Sequence, residues 1–485
     1  MKDQRGSRKF ATRVLVALVL LVALVAGSDS MSVVAGGASQ SAASPGQLCA
    51  TVTVRVHARH WVRIKESHKV RGRRVPVIRH GKVVYIRVRV RYVKLERKQV
   101  CSAASAAGSP VAPSVPLLPA PTEVPAPPLG SPPPVSHLEY VLQDGVTSVY
   151  DMDHEFKLLK TISLPQTAKA EVRGVSVAPA THLMFIMIGG DGPANGSGNG
   201  SVLAYDLVSE KVLWEVHLST GIDSGQVSPD GKRLYVPTGE NTNTGIWNIL
   251  NTENGAVIST IKGGSGAHNT VVSPDGGYVY LAGRTYNFLD VYETATGKVR
   301  EIGPLAGTAR PFTVNGSNTL SFTTATGFDG FQVSSVTTGK VLFSSSFGEV
   351  PKGFPFTAPS HGASLSPDEK ELFVIDAVHK EVQVWNVAKV KEGIAPTQIG
   401  VIALAGLSGN ESPCLYDCTR GGWLQRSVDG RYLFVGDSGE VIETATRKVL
   451  TTLSTLAQTK KSIEVDWQGG VPIATSGRTG VGGVG

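Results

Sequence analysis

The chain has 485 residues, of which 18% are charged and 41% apolar, with 55 glycines, 28 prolines and a formal net charge of +8. This composition excludes a charge-rich disordered chain and a single small domain, and its glycine and proline content calls for many turns and at least one linker. The net charge averages unlike parts: residues 49–101 carry +14 and residues 102–485 carry −9, so a basic module precedes an acidic body, and an electrostatic partner suits only one of them.

The N-terminus reads as an export signal over residues 1–27. Lys2, Arg5, Arg8, Lys9 and Arg13 precede an uncharged apolar run from Val14 to Ala26. The run is short for a membrane span, which needs about 20 residues, and suits a signal core with cleavage near Ser28; an uncleaved anchor is the alternative. The expectation is therefore an exported protein, secreted or held at the cell surface. Residues 28–48 are Ser/Ala/Gly-rich and predict disorder.

Residues 49–101 predict a small twisted β-module. Val52, Val54, Val56, Val62 and Ile64 alternate with Arg55, Arg59 and Arg63, and Val84, Ile86, Val88 and Val90 alternate with Arg87, Arg89 and Arg91, which is the strand period with one apolar and one basic face. Those six arginines form a candidate polyanion-binding face, suited to an anionic cell-envelope polymer or a membrane surface. Non-specific phosphate contact is open to it, but no base-reading motif is present, so sequence-specific nucleic-acid binding is not expected. A solvated face that guards a sheet edge is the plainer reading. Four cysteines in an exported chain suggest disulfides. Cys49 with Cys101 and Cys414 with Cys418 is the simplest of the three possible pairings. Residues 102–136, rich in Ala and Pro, read as a semi-rigid spacer.

From residue 137 to 474 a repeat sets the fold. Ser228-Pro-Asp-Gly231, Ser273-Pro-Asp-Gly276, Ser366-Pro-Asp-Glu369 and Val428-Asp-Gly430 each lead into an apolar strand, then a second strand, a turn and a last strand. In such a turn proline presets φ and glycine takes the positive φ. Weaker copies stand at Ala178-Pro179 and Asn315-Gly316, and a last one at Ser462 to Asp466. The period of about 48 residues is that of a propeller blade. The expectation is an all-β, seven-bladed propeller with four-stranded blades, monomeric, in which the surplus strand Ser462–Trp467 closes the ring onto Leu138–Leu142. Trp214, Trp247 and Trp385 are read as blade packing. The Gly-rich tail, 475–485, is expected to be loose.

Leu234-Tyr-Val-Pro-Thr-Gly-Glu240, Thr294-Ala-Thr-Gly-Lys298 and the repeated Ser-Pro-Asp-Gly resemble the YVTN-repeat family of β-propellers, relatives in shape of WD-repeat proteins. The resemblance spans roughly residues 137–467, and Val314-Asn-Gly-Ser-Asn318 departs from it. It implies an exported or surface propeller. Some look-alikes bind proteins, sugars or nucleic acid, and related propellers include lactonases and the heavy chains of amine dehydrogenases.

A propeller's binding face surrounds its channel at the starts of the inner strands. Counting five residues upstream of each repeat marker gives Arg173, Asp223, His268, Arg310, His361, Gly422 and Lys461, a candidate ring at one channel mouth. Asp223, His268 and His361 are a candidate metal set for a lactonase-like hydrolase. Arg173, Arg310 and Lys461 suit a small anionic ligand. Side chains that only solvate the channel are the plainer alternative. The Gly189–Gly200 loop offers Asp191 to calcium, with too few carboxylates to argue for it. There is no Gly-x-Ser-x-Gly elbow, phosphate-binding loop or His-Glu-x-x-His. No catalytic motif is complete, so the reading favours a cofactor-free binding or scaffolding protein with a protein or small anionic ligand at the propeller face. The hydrolase, with a divalent metal, is the alternative.

Overall fold

The computed structural model describes strands within residues 48–102, without their side chains, and residues 133–164, 171–189, 200–412 and 418–483 in full. It divides into two compact units, 1–126 and 127–485. The signal segment, the Asp191 loop and Cys414 fall outside the described residues.

In the first unit Leu48–Lys65 pairs antiparallel with Tyr85–Ser102, and two short hairpins lie between them. The strands pair two by two rather than in one small sheet. The register sets Cys49 opposite Cys101, Arg59 opposite Arg91 and Arg63 opposite Arg87.

The second unit is a ring of seven antiparallel sheets, the expected seven-bladed propeller. Blades 2 to 7 have four strands each, with inner strands Val172–Ala178, Gln226–Val227, Ala267–Val272, Ala309–Val314, Ala363–Leu365 and Trp423–Arg426. Blade 1 closes the ring: Ser462–Gln468 pairs with Val135–Gln143, followed by Val146–Asp151 and Lys157–Ser163. It has a fifth strand, Val471–Thr475, on the channel side of Ser462–Gln468.

The turns explain why the repeat specifies the fold. Ser228 Oγ donates to Asp230 Oδ1 at 2.6 Å and accepts the Arg233 amide at 3.0 Å, while Gly231 sits at φ +68°. Ser273, Ser366 and Ser427 repeat this bridge. In blade 5 the side chain of Asn315 replaces serine by accepting the Thr319 and Leu320 amides. The apolar core lies between neighbouring blades, as where Phe331 and Phe347 of blade 5 meet Trp385 of blade 6. Trp247 is fully buried and donates to Thr270 across a blade boundary. Trp214 packs on Phe185 and donates to the Thr252 carbonyl.

The tail is not loose. After Val471–Thr475, residues Ser476 to Val481 are almost entirely buried and bond to the inner strands. The Gly480 carbonyl accepts from the Leu365 amide (3.0 Å) and the Thr313 hydroxyl (3.0 Å), and the Gly482 amide donates to the Val314 carbonyl. A Cβ on Gly480 would stand 2.0 Å from Ser364 Oγ, so glycine is what fits beside that wall. Low side-chain bulk, read as looseness, instead lets the segment thread the channel.

Candidate functional site

The inner strands all run the same way, so their starts meet at one mouth of the channel. Arg173, His268 and Arg310 are each the second residue of an inner strand, and Asp223, His361 and Lys461 lie just before one. All six are buried. Together with Ser224, Asn269, Trp423, Lys460 and Arg478 they line one cavity of about 30 Å³. Gly422 is absent from that lining. Its amide and that of Gly421 donate to Asp437 Oδ2 at 2.9 Å.

At the centre is an ion network. Asp223 Oδ2 meets His268 Nδ1 at 2.6 Å and Arg173 Nη2 at 3.4 Å. Glu240 faces Arg284 at 3.0 Å, Arg310 at 3.5 Å, Arg173 at 3.6 Å and His268 at 3.8 Å. Burial pushes the Glu240 carboxyl up, but His268, Arg173 and Arg310 outweigh it and hold the group at about 2. Lys460 meets Glu411 at 2.6 Å and Asp437 at 3.1 Å. Burial, with nearby cations, pushes Lys461 and Arg478 below their ordinary ranges, Arg478 to about 10. His268 Nε2 is buried and has no hydrogen-bond partner among the described residues.

The metal set expected from sequence is not assembled as drawn. Asp223 and His268 come together with Glu240, their ligand atoms within 4.8 Å, and His361 is not in that group. His361 donates Nδ1–H to the Gly422 carbonyl at 2.9 Å and packs edge-on to Phe356 and Trp423. Burial, and after it the charge of Arg310, pushes its pKa well below the usual value, so it is neutral. Arginines already occupy both carboxylates, and a metal cation there would face them at close range.

Counting only inner-strand starts overlooked Glu240, Arg284, Lys460 and Arg478. The first two had a signal: Glu240 ends the Leu234–Glu240 repeat motif, and Arg284 directly follows the equivalent strand Tyr278–Gly283. Arg478 had none, since its position depends on the threaded tail. Its Nη1 donates to Ser224 Oγ at 2.6 Å and Nη2 to the Lys460 carbonyl at 2.8 Å.

No family model matches the sequence, and no curated protein matches it. Among solved structures, the chain is similar to the β-propeller domain of Cps50 (Swd1) from Myceliophteria thermophila, at 10% identity and a TM-score of 0.45, over 59% of this chain and 87% of that one. The seven-bladed assignment rests on this chain's own strand pairing.

The opposite mouth differs in kind. The ends of the inner strands of blades 2 to 4, the prolines of their turns and residues Pro472 to Gly477 enclose an open cavity of about 680 Å³ with no charged residue in its lining. Val471–Thr475 is the sheet's edge there, and Ile473 is 44% exposed. The six arginines expected to bind polyanions lie on the two long strands of the first unit.

Proposed function

We propose that the chain is an exported, non-enzymatic binding and scaffolding propeller of the YVTN-repeat kind, which takes an extended, uncharged protein segment at the mouth rimmed by the Ser-Pro-Asp turns. The contrast between the two mouths carries this reading. The charged mouth keeps about 30 Å³, room for little more than a water molecule, because Arg478 occupies it. The uncharged mouth offers about 680 Å³, within the range of ligand sites. The unpaired edge of Val471–Thr475 supplies main-chain donors and acceptors for strand addition, and side chains such as Ile473 supply selectivity. The charge of +14 over residues 49–101 supports a tether to an anionic envelope polymer or membrane surface across the proline-rich spacer.

The test is to pan displayed random octapeptides on the full chain and titrate the enriched peptides calorimetrically against wild type and Ile473→Glu. Peptides at least about tenfold weaker on Ile473→Glu support the reading. An empty selection, or binders indifferent to the substitution, count against it.

A second reading has its own observation. Arg173, Arg284, Arg310, Arg478, Lys460 and Lys461 outnumber Asp223, Glu240, Asp437 and Glu411 at the charged mouth, and this surplus suits one small anion. The lactonase-like alternative lacks such support: a substrate beside His268 needs the space that Arg478 fills.

A further inference from the structure

Where blades 5 and 6 meet, Asp329, Asp376 and His379 each bring a ligand atom within 4.8 Å of the others. Asp329 and Asp376 are 1% and 0% exposed, while the His379 side chain is 50% exposed and gives an ion a route in.

Two observations mark this group as a candidate ion site. The first is charge balance. Asp223 and Glu240 are met by arginines and Asp437 by Lys460. Among the described residues, the ion-pair partner of Asp376 is His379 alone. The charged groups that act most strongly on Asp329 are Asp376, His379 and Glu381. The second is an orphaned atom. Asp329 Oδ1 accepts the Ser360 hydroxyl at 3.1 Å, but Oδ2 is buried without a hydrogen-bond partner. Two buried carboxylates with only a half-exposed imidazole to balance them are costly, and a bound metal ion is one of the few groups that repay the cost.

We propose that Asp329, Asp376 and His379 form a binding site for a divalent transition metal of the zinc or manganese class. Two carboxylates with an imidazole suit those ions, whereas calcium favours oxygen ligands alone. The supports are in place. Asp376 accepts the His379 amide at 2.9 Å and Gln383 Nε2 at 3.0 Å, and Ser360 holds Asp329. The proton now shared by His379 Nδ1 and Asp376 Oδ2, 2.8 Å apart, leaves when the ion binds through those atoms.

The test uses the full chain, stripped with chelator and titrated with Zn²⁺ alone by calorimetry, with the shift in melting temperature as a second readout. The expected result is one equivalent of Zn²⁺, a raised melting temperature, and affinity reduced at least about tenfold in both His379→Ala and Asp329→Asn. His379 is at the surface, so His379→Ala keeps the fold and decides the matter should Asp329→Asn unfold. No zinc binding, or binding unchanged in His379→Ala, overturns the proposal. The latter result would direct attention to the His137–Glu464–Asp466 group, whose ligand atoms also lie within 4.8 Å of one another.

Discussion

The guanidinium carbon of Arg478 lies 4.2 Å from the centroid of the Trp423 indole, and Trp423 donates its ring N–H to the main-chain carbonyl of Arg478 at 2.8 Å. One aromatic residue of blade 7 thus holds both the side chain and the backbone of a segment some fifty residues further on. Through it the chain fills its own channel, which leaves the uncharged mouth as the open one.

Arg478→Ala removes this cation–π contact and the hydrogen bonds to Ser224 and Lys460, and relieves some repulsion from neighbouring cations. The expected net cost is about 1–3 kcal/mol, read as a lower urea midpoint with an unchanged slope. A variant as stable as wild type would mean that the tail adds nothing to the ring.

Arg426 is 1% exposed and spends its guanidinium on main-chain carbonyls: Leu365 at 2.8 Å, Ser427 at 2.8 Å, Val428 at 3.0 Å and Val481 at 2.7 Å. It ties together blades 6 and 7 and the tail. Replacing it with alanine strands buried acceptors and is expected to cost about 3–5 kcal/mol. Thermal unfolding checks this, and a loss below about 1 kcal/mol would contradict it.

The repeat turns give a more uniform expectation. Ser273→Ala and Ser366→Ala each remove a hydroxyl that bridges an aspartate and a strand amide. Each is expected to cost about 1 kcal/mol, and the double variant about twice that, because distant sites add. Strong non-additivity in chemical denaturation would mean that the two turns communicate.

Asp290 gives stability a pH signature. Burial pushes its carboxyl up to about 6, despite the Gly264 amide at 2.6 Å. The folded state therefore holds this proton more tightly than the unfolded state, whose value is near 3.8. Its contribution falls as pH rises from about 4 to 6, and above that window the ionised group costs up to about 3 kcal/mol. Asp290→Asn is expected to be more stable than wild type at pH 7.5, with the difference closing by pH 4. Parallel stability profiles across that range would refute the assignment.

The blade count was legible because the Ser-Pro-Asp-Gly turn is a local device: its serine, proline and glycine act within five residues, and their spacing is the blade period. Ring closure followed from a strand left over at one end and missing at the other. The channel-mouth residues Arg173, Asp223, His268, Arg310, His361 and Lys461 share one phase relative to that turn, and so they come together. Their chemistry was less legible. His361 is taken up by the Gly422 carbonyl and two aromatic rings, and Glu240 reaches the centre from a second strand. Neither fact is written in inner-strand phase. The tail misled because a Gly-rich segment that is loose and one that threads a narrow channel have the same composition.

The most direct test of a self-filled channel is hydrogen–deuterium exchange of the full chain, followed by mass spectrometry of peptides covering residues 476–483. The Gly482 amide and its neighbours are expected to exchange as slowly as the inner strands Ala309–Val314 and Ala363–Leu365 against which they lie. Complete exchange of that segment within seconds, with those strands still protected, would contradict it. The charged mouth around His268 would then be open, and the hydrolase and anion readings would take precedence over the binding propeller.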